Sequence, residues 1–376
     1  MASSEKILQK SIGCRVKSAR DAKGWTQDDL ARGLGLKDRQ SVSDIENGKR
    51  ALKPEELVAL SDILDREVEF FIDPFSVAGE AAFSWRAATE APEESLKEFE
   101  LRAGQWIGLL RWLRRQSGGK INPFKYSLRL NVKSTFEEAI ASAERMVEAL
   151  DLGKQPAERL VECVENSLDI PILFIDPVDI PQDCAISGAA CNLPDLGVIL
   201  VNRKEPEGRR FFDIAHELFH ALTWDAMKPK HREPNEPEAP GRRDRVEQLA
   251  DNFAAGLLMP EAALDQLIDS RYIRDIQHLA DVAAQLKVSL ASLAWRLFNL
   301  KRIDKATCEA LLKQKHQPLS HPSIPKRYSR SFVSLLYEAI DKGRLSARKA
   351  AKALGMSLPM LSDLFIEHSM EAPFEL

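Results

Sequence analysis

The chain has 376 residues, enough for two or three domains with a sizeable core in each. Its net charge of −4 excludes a global positive field for nucleic acid, so any DNA-binding surface has to be a local patch. No run of about 18 apolar residues indicates a membrane span, the start MASSEKILQK lacks the apolar part of a signal peptide, and five cysteines without paired spacing fit a reducing compartment. We therefore expect a cytoplasmic protein without a disulfide framework.

Residues 8–72 have the pattern of a compact all-helical unit. Four short stretches with helical periodicity are separated by glycines or begin with residues that favour a helix start. They are Leu8–Lys23, a helix that Thr26 caps and Gly35 ends, Arg39–Asn47 and Pro54–Leu64. Short helices joined by tight turns are typical of a helix-turn-helix domain.

The segment GWTQDDLARGLGLKDRQSVSDIENGKR resembles the DNA-binding domain of phage-repressor-like (XRE type) regulators. The matching positions are Gln27, Leu30, Ala31, Val42, Ile45, Glu46 and Gly48. The resemblance implies that one set of side chains faces the major groove and another contacts phosphates. The first set is Arg39, Gln40, Ser41 and Ser43, and the second is Gln27, Lys49 and Arg50. The alternative is a protein-interaction module of the same fold.

Residues 73–168 are predicted to be a helical connector. The stretch LRAGQWIGLLRWLRRQSGGK combines an apolar stripe, on which Trp106 lies, with several arginines. One interpretation is a surface that stacks the bases of single-stranded nucleic acid on Trp106. The interpretation that we favour is a packed helix with a solvated basic edge. Two further helices are expected at Thr135–Leu150 and Pro156–Ser167.

The stretch FFDIAHELFHAL, residues 211–222, contains the pattern H-E-x-x-H. On a helix, His216 and His220 project from one face about 6 Å apart, which suits two imidazoles on one Zn²⁺. Glu217 would then lie beside the attacking water as the general base. The alternative is a buried helix with two hydrogen-bonded histidines.

A second helical stretch, EQLADNFAAGLLMP, supplies a candidate third ligand. Glu247 starts it, and Asp251 lies one turn further on the same face. Asp251 is suited to accept the remaining N–H of a ligand histidine and to fix its tautomer. The alternative for Glu247 is a solvated first-turn glutamate.

Together these stretches resemble the ImmA/IrrE family of metallopeptidases over roughly residues 170–300. The strand-like GVILVN and the lead-in Arg209-Arg210-Phe211 also match. The resemblance implies that His216, His220 and Glu247 bind zinc and that Glu217 is the base. The ligands also admit Mn²⁺ or Fe²⁺. The family cleaves helix-turn-helix repressors after stress or during mobile-element induction.

Strands are predicted at Ile170–Ile175 and Gly197–Asn202, forming a small sheet beside the H-E-x-x-H helix. Near the end of the chain, GRLSARKAAKALGMSLPMLSDLF suggests a second helix-turn-helix-like pair. Its apolar positions are Ala350, Leu354, Met356 and Leu361. A helical dimerisation or docking element is an equally good interpretation.

The sequence therefore predicts a mostly α multidomain protein. The segments are an all-α helix-turn-helix domain (8–72), the connector (73–168), an α+β zincin-like peptidase with a small sheet (169–300) and a helical C-terminal region (301–376). The expected function is a zinc endopeptidase that regulates transcription by cleaving a repressor. The alternatives are a DNA-binding regulator whose peptidase-like domain is a sensor or dimerisation platform, and a repressor that cleaves itself. The expected partners are duplex DNA, a repressor substrate, a second copy in a homodimer, and single-stranded DNA as a candidate activator.

Overall fold

The computed structural model describes residues 2–87, 91–118, 128–176, 185–234, 244–314 and 324–375. The chain divides into two compact units. Unit 1 contains residues 1–82, 97–121 and 331–376, and unit 2 contains residues 83–96 and 122–330. The helix-turn-helix segment and the end of the chain thus share unit 1, whereas the H-E-x-x-H segment lies in unit 2. None of the helices among the described residues is long and apolar enough to cross a membrane.

Helices dominate both units. In chain order they are α1 (Ala2–Ala22), α2 (Gln27–Gly33), α3 (Arg39–Glu46), α4 (Pro54–Leu64), α5 (Val68–Ile72), α6 (Glu93–Gln116), α7 (Phe136–Ala149), α8 (Pro156–Asn166), α9 (Glu207–Thr223), α10 (Arg245–Leu258), α11 (Glu261–Leu267), α12 (Ile276–Gln285), α13 (Leu290–Asn299), α14 (Lys305–Leu312), α15 (Arg330–Asp341), α16 (Ala347–Leu354) and α17 (Leu358–Glu367). The strands are β1 (Ala82–Ala87), β2 (Ile172–Ile175), β3 (Gly188–Leu193), β4 (Leu196–Asn202) and β5 (Arg232–Pro234). The predicted mostly α fold with a small sheet is confirmed.

The helix-turn-helix segment is built from capped short helices around one core. Thr26 and Asp29 form a capping box at α2, since the Asp29 N–H donates to Thr26 Oγ1 and the Thr26 N–H donates back to the Asp29 carboxylate. Asp38 caps α3 by accepting from the Ser41 N–H at 2.9 Å. The core contains Val16, Ala19, Leu30, Ala31, Val42, Ile45, Leu60, Leu64 and Phe71. Leu30, Ala31, Val42 and Ile45, four of the positions that match the XRE-type pattern, are therefore core residues.

Helix α6 packs into the core of unit 1 with its aromatic stripe. Trp106 has no exposed surface, and Arg111 donates two hydrogen bonds of 3.0 Å to Glu80. The interpretation of this helix as a base-stacking surface is wrong, because the ring is not accessible. The apolar stripe is buried because moving a large indole ring out of water stabilises the folded state, and an exposed ring would lose that free energy.

Gly108 allows α6 to pass closely over Phe75. A Cβ at Gly108 would lie 1.7 Å from the Phe75 carbonyl oxygen, a contact that only backbone movement can relieve. We expect Gly108→Ala to destabilise unit 1 by about 3 kcal/mol, or roughly 6–12 °C in Tm. Gly104→Ala is the matched control, since its Cβ would meet only the Val77 side chain at 3.1 Å. Thermal unfolding of both variants checks this, and an equal Tm for the two would contradict it.

The C-terminal helices α16 and α17 form a tight pair within unit 1. Gly355 ends α16 with a left-handed φ of 65°. Lys352 pairs with Glu69 at 3.3 Å, and Lys349 lies 5.1 Å from the centre of the Phe75 ring. The apolar positions predicted for this pair are all buried: Ala350, Leu354, Met356 and Leu361. Both lysines are exposed at the surface, and the two interpretations of this pair, a helix-turn-helix-like element and a docking element, stay predictions.

Unit 2 contains one mixed sheet with the strand order β2-β4-β3-β1-β5. β2 runs parallel to β4, β3 antiparallel to β4, and β5 parallel to β1. Only β2 and β4 were predicted from the sequence. β1 lies in the segment assigned to the helical connector, β3 begins with small residues, and β5 has three residues in a polar stretch. Tertiary pairing rather than intrinsic preference makes these three segments strands.

Helix α9 packs against the face of the sheet at β3 and β4, and α10 packs against both α9 and α7. Gly256 permits the close approach of α10 to α7, since a Cβ there would lie 3.1 Å from the Ile140 backbone. Phe219 and Phe253 meet at the contact between α9 and α10, with ring centres 5.6 Å apart. This packing fixes the positions of the polar side chains that α9 and α10 carry.

Candidate metal centre

The H-E-x-x-H pattern lies in the buried part of α9. His216, Glu217 and His220 have no exposed surface. The helix turns its apolar neighbours Ile214 and Phe219 into the core of unit 2, so the polar groups are surrounded by low-dielectric material. Charge–charge and charge–dipole interactions are much stronger there than in water.

Glu247, in the first turn of α10, joins the two histidines. His216 Nε2 lies 3.1 Å from His220 Nε2 and 3.2 Å from Glu247 Oε2, and His220 Nε2 lies 3.6 Å from Glu247 Oε2. Ligands on a tetrahedral ion with bonds of about 2.0–2.1 Å are spaced about 3.3 Å apart. The three donor atoms therefore have the spacing and the chemistry of a zinc-ligand set, and among the described residues this is the group found able to hold a metal.

Asp251 orients the first histidine. Its Oδ1 lies 2.9 Å from His216 Nδ1, so the ring proton belongs on Nδ1 and the lone pair of Nε2 points toward Glu247 and His220. One helical turn separates Asp251 from Glu247 on α10. Helix α10 thus supplies both the third donor, Glu247, and the carboxylate of Asp251, which sets the tautomer of His216.

We expect Asp251→Ala to weaken zinc binding by about 10–100-fold, because an unsupported His216 ring loses its orientation and some basicity. Asn252→Ala is the control, since that side chain donates to the Gln248 carbonyl of its own helix. Competition with a chromophoric chelator measures both affinities. Equal zinc affinity for wild type and Asp251→Ala would show that the contact does not support the ligand.

The carboxylate of Glu217 lies against strand β3. A Cβ built on Gly188 would be 3.7 Å from Glu217 Cγ and Oε1, and 3.1 Å from the Leu200 carbonyl oxygen. The first residue of β3 therefore forms a wall of the site beside the candidate base. An added Cβ would make an ordinary van der Waals contact with Glu217, and its tight contact would be with the Leu200 carbonyl.

Asp213 is a buried charge near the site that the sequence reasoning did not include. It lies on α9, one turn before His216, and Arg86 donates to it at 2.7 Å. Burial raises the pKa of the Asp213 carboxyl, while Arg86 acts against that rise. The sequence does show that Asp213 lies on the same helix face as the H-E-x-x-H pattern. A charged residue on a buried face is expected to have a partner of opposite charge.

The side chains predicted to contact DNA divide into two groups in the structure. Those at the surface are Arg39, Gln40 and Lys49. Of these, Gln40 donates to Asp44 at 2.9 Å on the same helix. The other four are less exposed and also have partners within the domain: Gln27 donates to Glu46 at 2.7 Å, Arg50 to Glu56, and Ser41 to Asp38, while Ser43 accepts from Asn47. Arg39 and Gln40 lie in the first turn of α3, the part of a recognition helix that reaches base edges.

The site is of the zincin type and metallopeptidase-like. One helix carries two histidines and a glutamate, the next helix supplies a carboxylate, and a sheet lies beside them. The comparisons agree with this class. Residues 184–298 match the peptidase family model described as the IrrE N-terminal-like domain, and residues 16–71 match the helix-turn-helix family model. The suspected fusion of these two domains in one chain is thus confirmed. No curated protein matches the chain.

Proposed function

We propose that the chain is a zinc-dependent endopeptidase fused to a sequence-specific DNA-binding domain. In this proposal it regulates transcription by cleaving a helix-turn-helix repressor in response to stress or mobile-element induction. The observation that carries the proposal is the completeness of the site. His216, His220 and Glu247 converge at metal-ligand spacing, and Glu217 follows the first of them on the same buried helix.

In the proposed mechanism His216, His220 and Glu247 hold the ion. The chemistry that a divalent ion supplies in such a site is polarisation of the scissile carbonyl and a lower pKa of the attacking water. Glu217 accepts the proton of that water and passes it to the leaving amine. Asp251 keeps the His216 ring in place through its 2.9 Å contact. Zinc fits this donor set, and Mn²⁺ and Fe²⁺ also accept imidazole and carboxylate ligands.

Incubation with a proteome-derived peptide library tests the proposed activity. The metal-loaded wild type and Glu217→Gln proteins are compared, with and without single-stranded DNA, and new peptide ends are read by mass spectrometry. Cuts made only by the wild type are expected. Identical peptide ends for both proteins would refute the peptidase.

The second candidate is a regulator that binds DNA and uses the peptidase-like domain as a sensor or dimerisation platform. The surface position of Arg39 and Gln40 at the start of α3 supports the DNA binding that this candidate shares with the first. A third candidate, self-cleavage, is distinguished by a truncated product of the chain that disappears with Glu217→Gln. Light scattering of the purified protein, alone and on duplex DNA, tests the proposed homodimer.

For DNA binding, we expect Arg39→Ala to weaken affinity for a duplex selected from a random library by about 5–150-fold, the range for losing one good base contact. Arg159→Ala is the control, because it removes the same charge from an exposed site in unit 2. Titration at fixed salt concentration measures both variants. Equal losses for the two would indicate a general charge effect and no reading by Arg39.

A further inference from the structure

A buried ion pair joins strand β1 to the helix that carries the metal ligands. Arg86 Nη1 lies 2.7 Å from Asp213 Oδ1, and the side chains are 7% and 0% exposed. Arg209 approaches the other carboxylate oxygen at 3.4 Å from a more open position. Taking two charges out of water is costly, and apolar residues of the same volume usually pack as well. A pair of this kind therefore calls for a role beyond holding the fold together.

The position of Asp213 connects the pair to the chemistry. It stands three residues before His216 and four before Glu217, so it is the neighbour of both on the surface of α9. A shift of Asp213 toward or away from β1 moves that part of the helix with it.

The main chain of Arg86 reaches the opposite wall of the site. Its carbonyl accepts a 3.0 Å hydrogen bond from the Ser187 N–H. The residue after Ser187 is Gly188, where an added Cβ would lie 3.7 Å from Glu217. On its other side β1 is held by β5, since the Trp85 N–H donates to the His231 carbonyl at 3.0 Å.

We propose that Arg86 is a positioning residue for peptide hydrolysis, and this rests on the proposed function. Through its carbonyl it holds β3, and through Asp213 it holds α9, so it sets the spacing between Gly188 and the Glu217 carboxylate. The directional hydrogen bond of the ion pair selects one register of the helix against the strand, which apolar contacts do not enforce.

The test separates positioning from stability by removing both charges at once. The double variant Arg86→Met with Asp213→Leu removes both charges of the pair and keeps the bond from Ser187 to the backbone at residue 86. Only Arg209, whose side chain is 38% exposed, loses a contact with Asp213. We expect a Tm and zinc affinity close to those of the wild type. We expect kcat for the best peptide of the library to fall about 100-fold with KM little changed, as for a small misplacement of a catalytic group.

The matched control is Arg111→Met with Glu80→Leu, which removes a pair of the same kind from unit 1. Its side chains are 8% and 5% exposed, with a 3.0 Å contact. Its kcat is expected to equal that of the wild type. Arg86→Lys provides a second variant in case the double variant does not fold. It keeps the charge but loses the guanidinium donor, and we expect a lower kcat with an unchanged zinc affinity.

Each outcome decides a different point. A folded, zinc-binding Arg86 variant with the kcat of the wild type overturns the positioning role and leaves the peptidase standing. A fall in kcat that merely follows a lost Tm or lost zinc also overturns it, since the pair is then structural. No Glu217-dependent cut by the wild type removes the proposed function itself, and the positioning role with it.

Discussion

Glu217→Gln is expected to lower kcat/KM for peptide cleavage by about 10²–10⁴-fold while zinc stays bound, the range for loss of a general base. The amide has nearly the same size and fits the same space beside Gly188, but it cannot accept the proton of the attacking water. The proposed ligands are His216, His220 and Glu247, so the substitution leaves the ligand set intact. Kinetics on a library peptide and zinc content by mass spectrometry measure the two effects separately.

Glu207→Gln is the control for that experiment. Glu207 lies in the first turn of the same helix, outside the cluster of donors. The Glu207→Gln protein should cleave at the rate of the wild type. If Glu217→Gln also did so, another group would have to accept the proton, and the assignment of Glu217 would be wrong.

His220→Ala is expected to weaken zinc binding by about 10³-fold, because it removes one of three protein ligands from a site whose full set typically contributes 10–16 kcal/mol. The weaker zinc binding also lowers the free energy of unfolding in the presence of zinc. Zinc at about 1,000 times its Kd stabilises the folded state by about 4.1 kcal/mol, and the variant should lose most of that increment. Thermal unfolding with and without zinc shows the difference in Tm.

The comparison is with His278→Ala, another histidine of unit 2. Its Nε2 accepts from the Asp269 N–H at 3.2 Å, away from the cluster. Zinc should raise the Tm of this variant as it does for the wild type. A His220→Ala protein that zinc stabilises as well as the wild type would exclude His220 as a ligand.

Much of the fold follows from local signals in the sequence. The capping box of Thr26 and Asp29 and the proline at the start of α4 specify helix ends within a few residues. The i, i+4 spacing of His216 and His220 indicates a shared helix face without knowledge of the rest of the chain. These features depend on neighbours within one or two turns, and such features are readable from sequence alone.

What could not be predicted depends on contacts between distant segments. β1 is a strand because it pairs with β5, about 150 residues later. Arg86 and Asp213 are 127 positions apart, and nothing near either one indicates its partner. Trp106 was open to two interpretations for the same reason, since only packing against the rest of unit 1 shows which face of α6 is buried.

The most direct test of the account uses intact proteins. The metal-loaded wild type and Glu217→Gln chains are incubated with the helix-turn-helix repressors encoded beside the gene, with and without single-stranded DNA. Mass spectrometry then reads every cut, including cuts in the chain itself. We expect at least one cut in a repressor that the wild type makes and Glu217→Gln does not. No cut under any condition, with equally tight duplex DNA binding by both chains, would contradict it and leave a DNA-binding regulator that carries a peptidase fold.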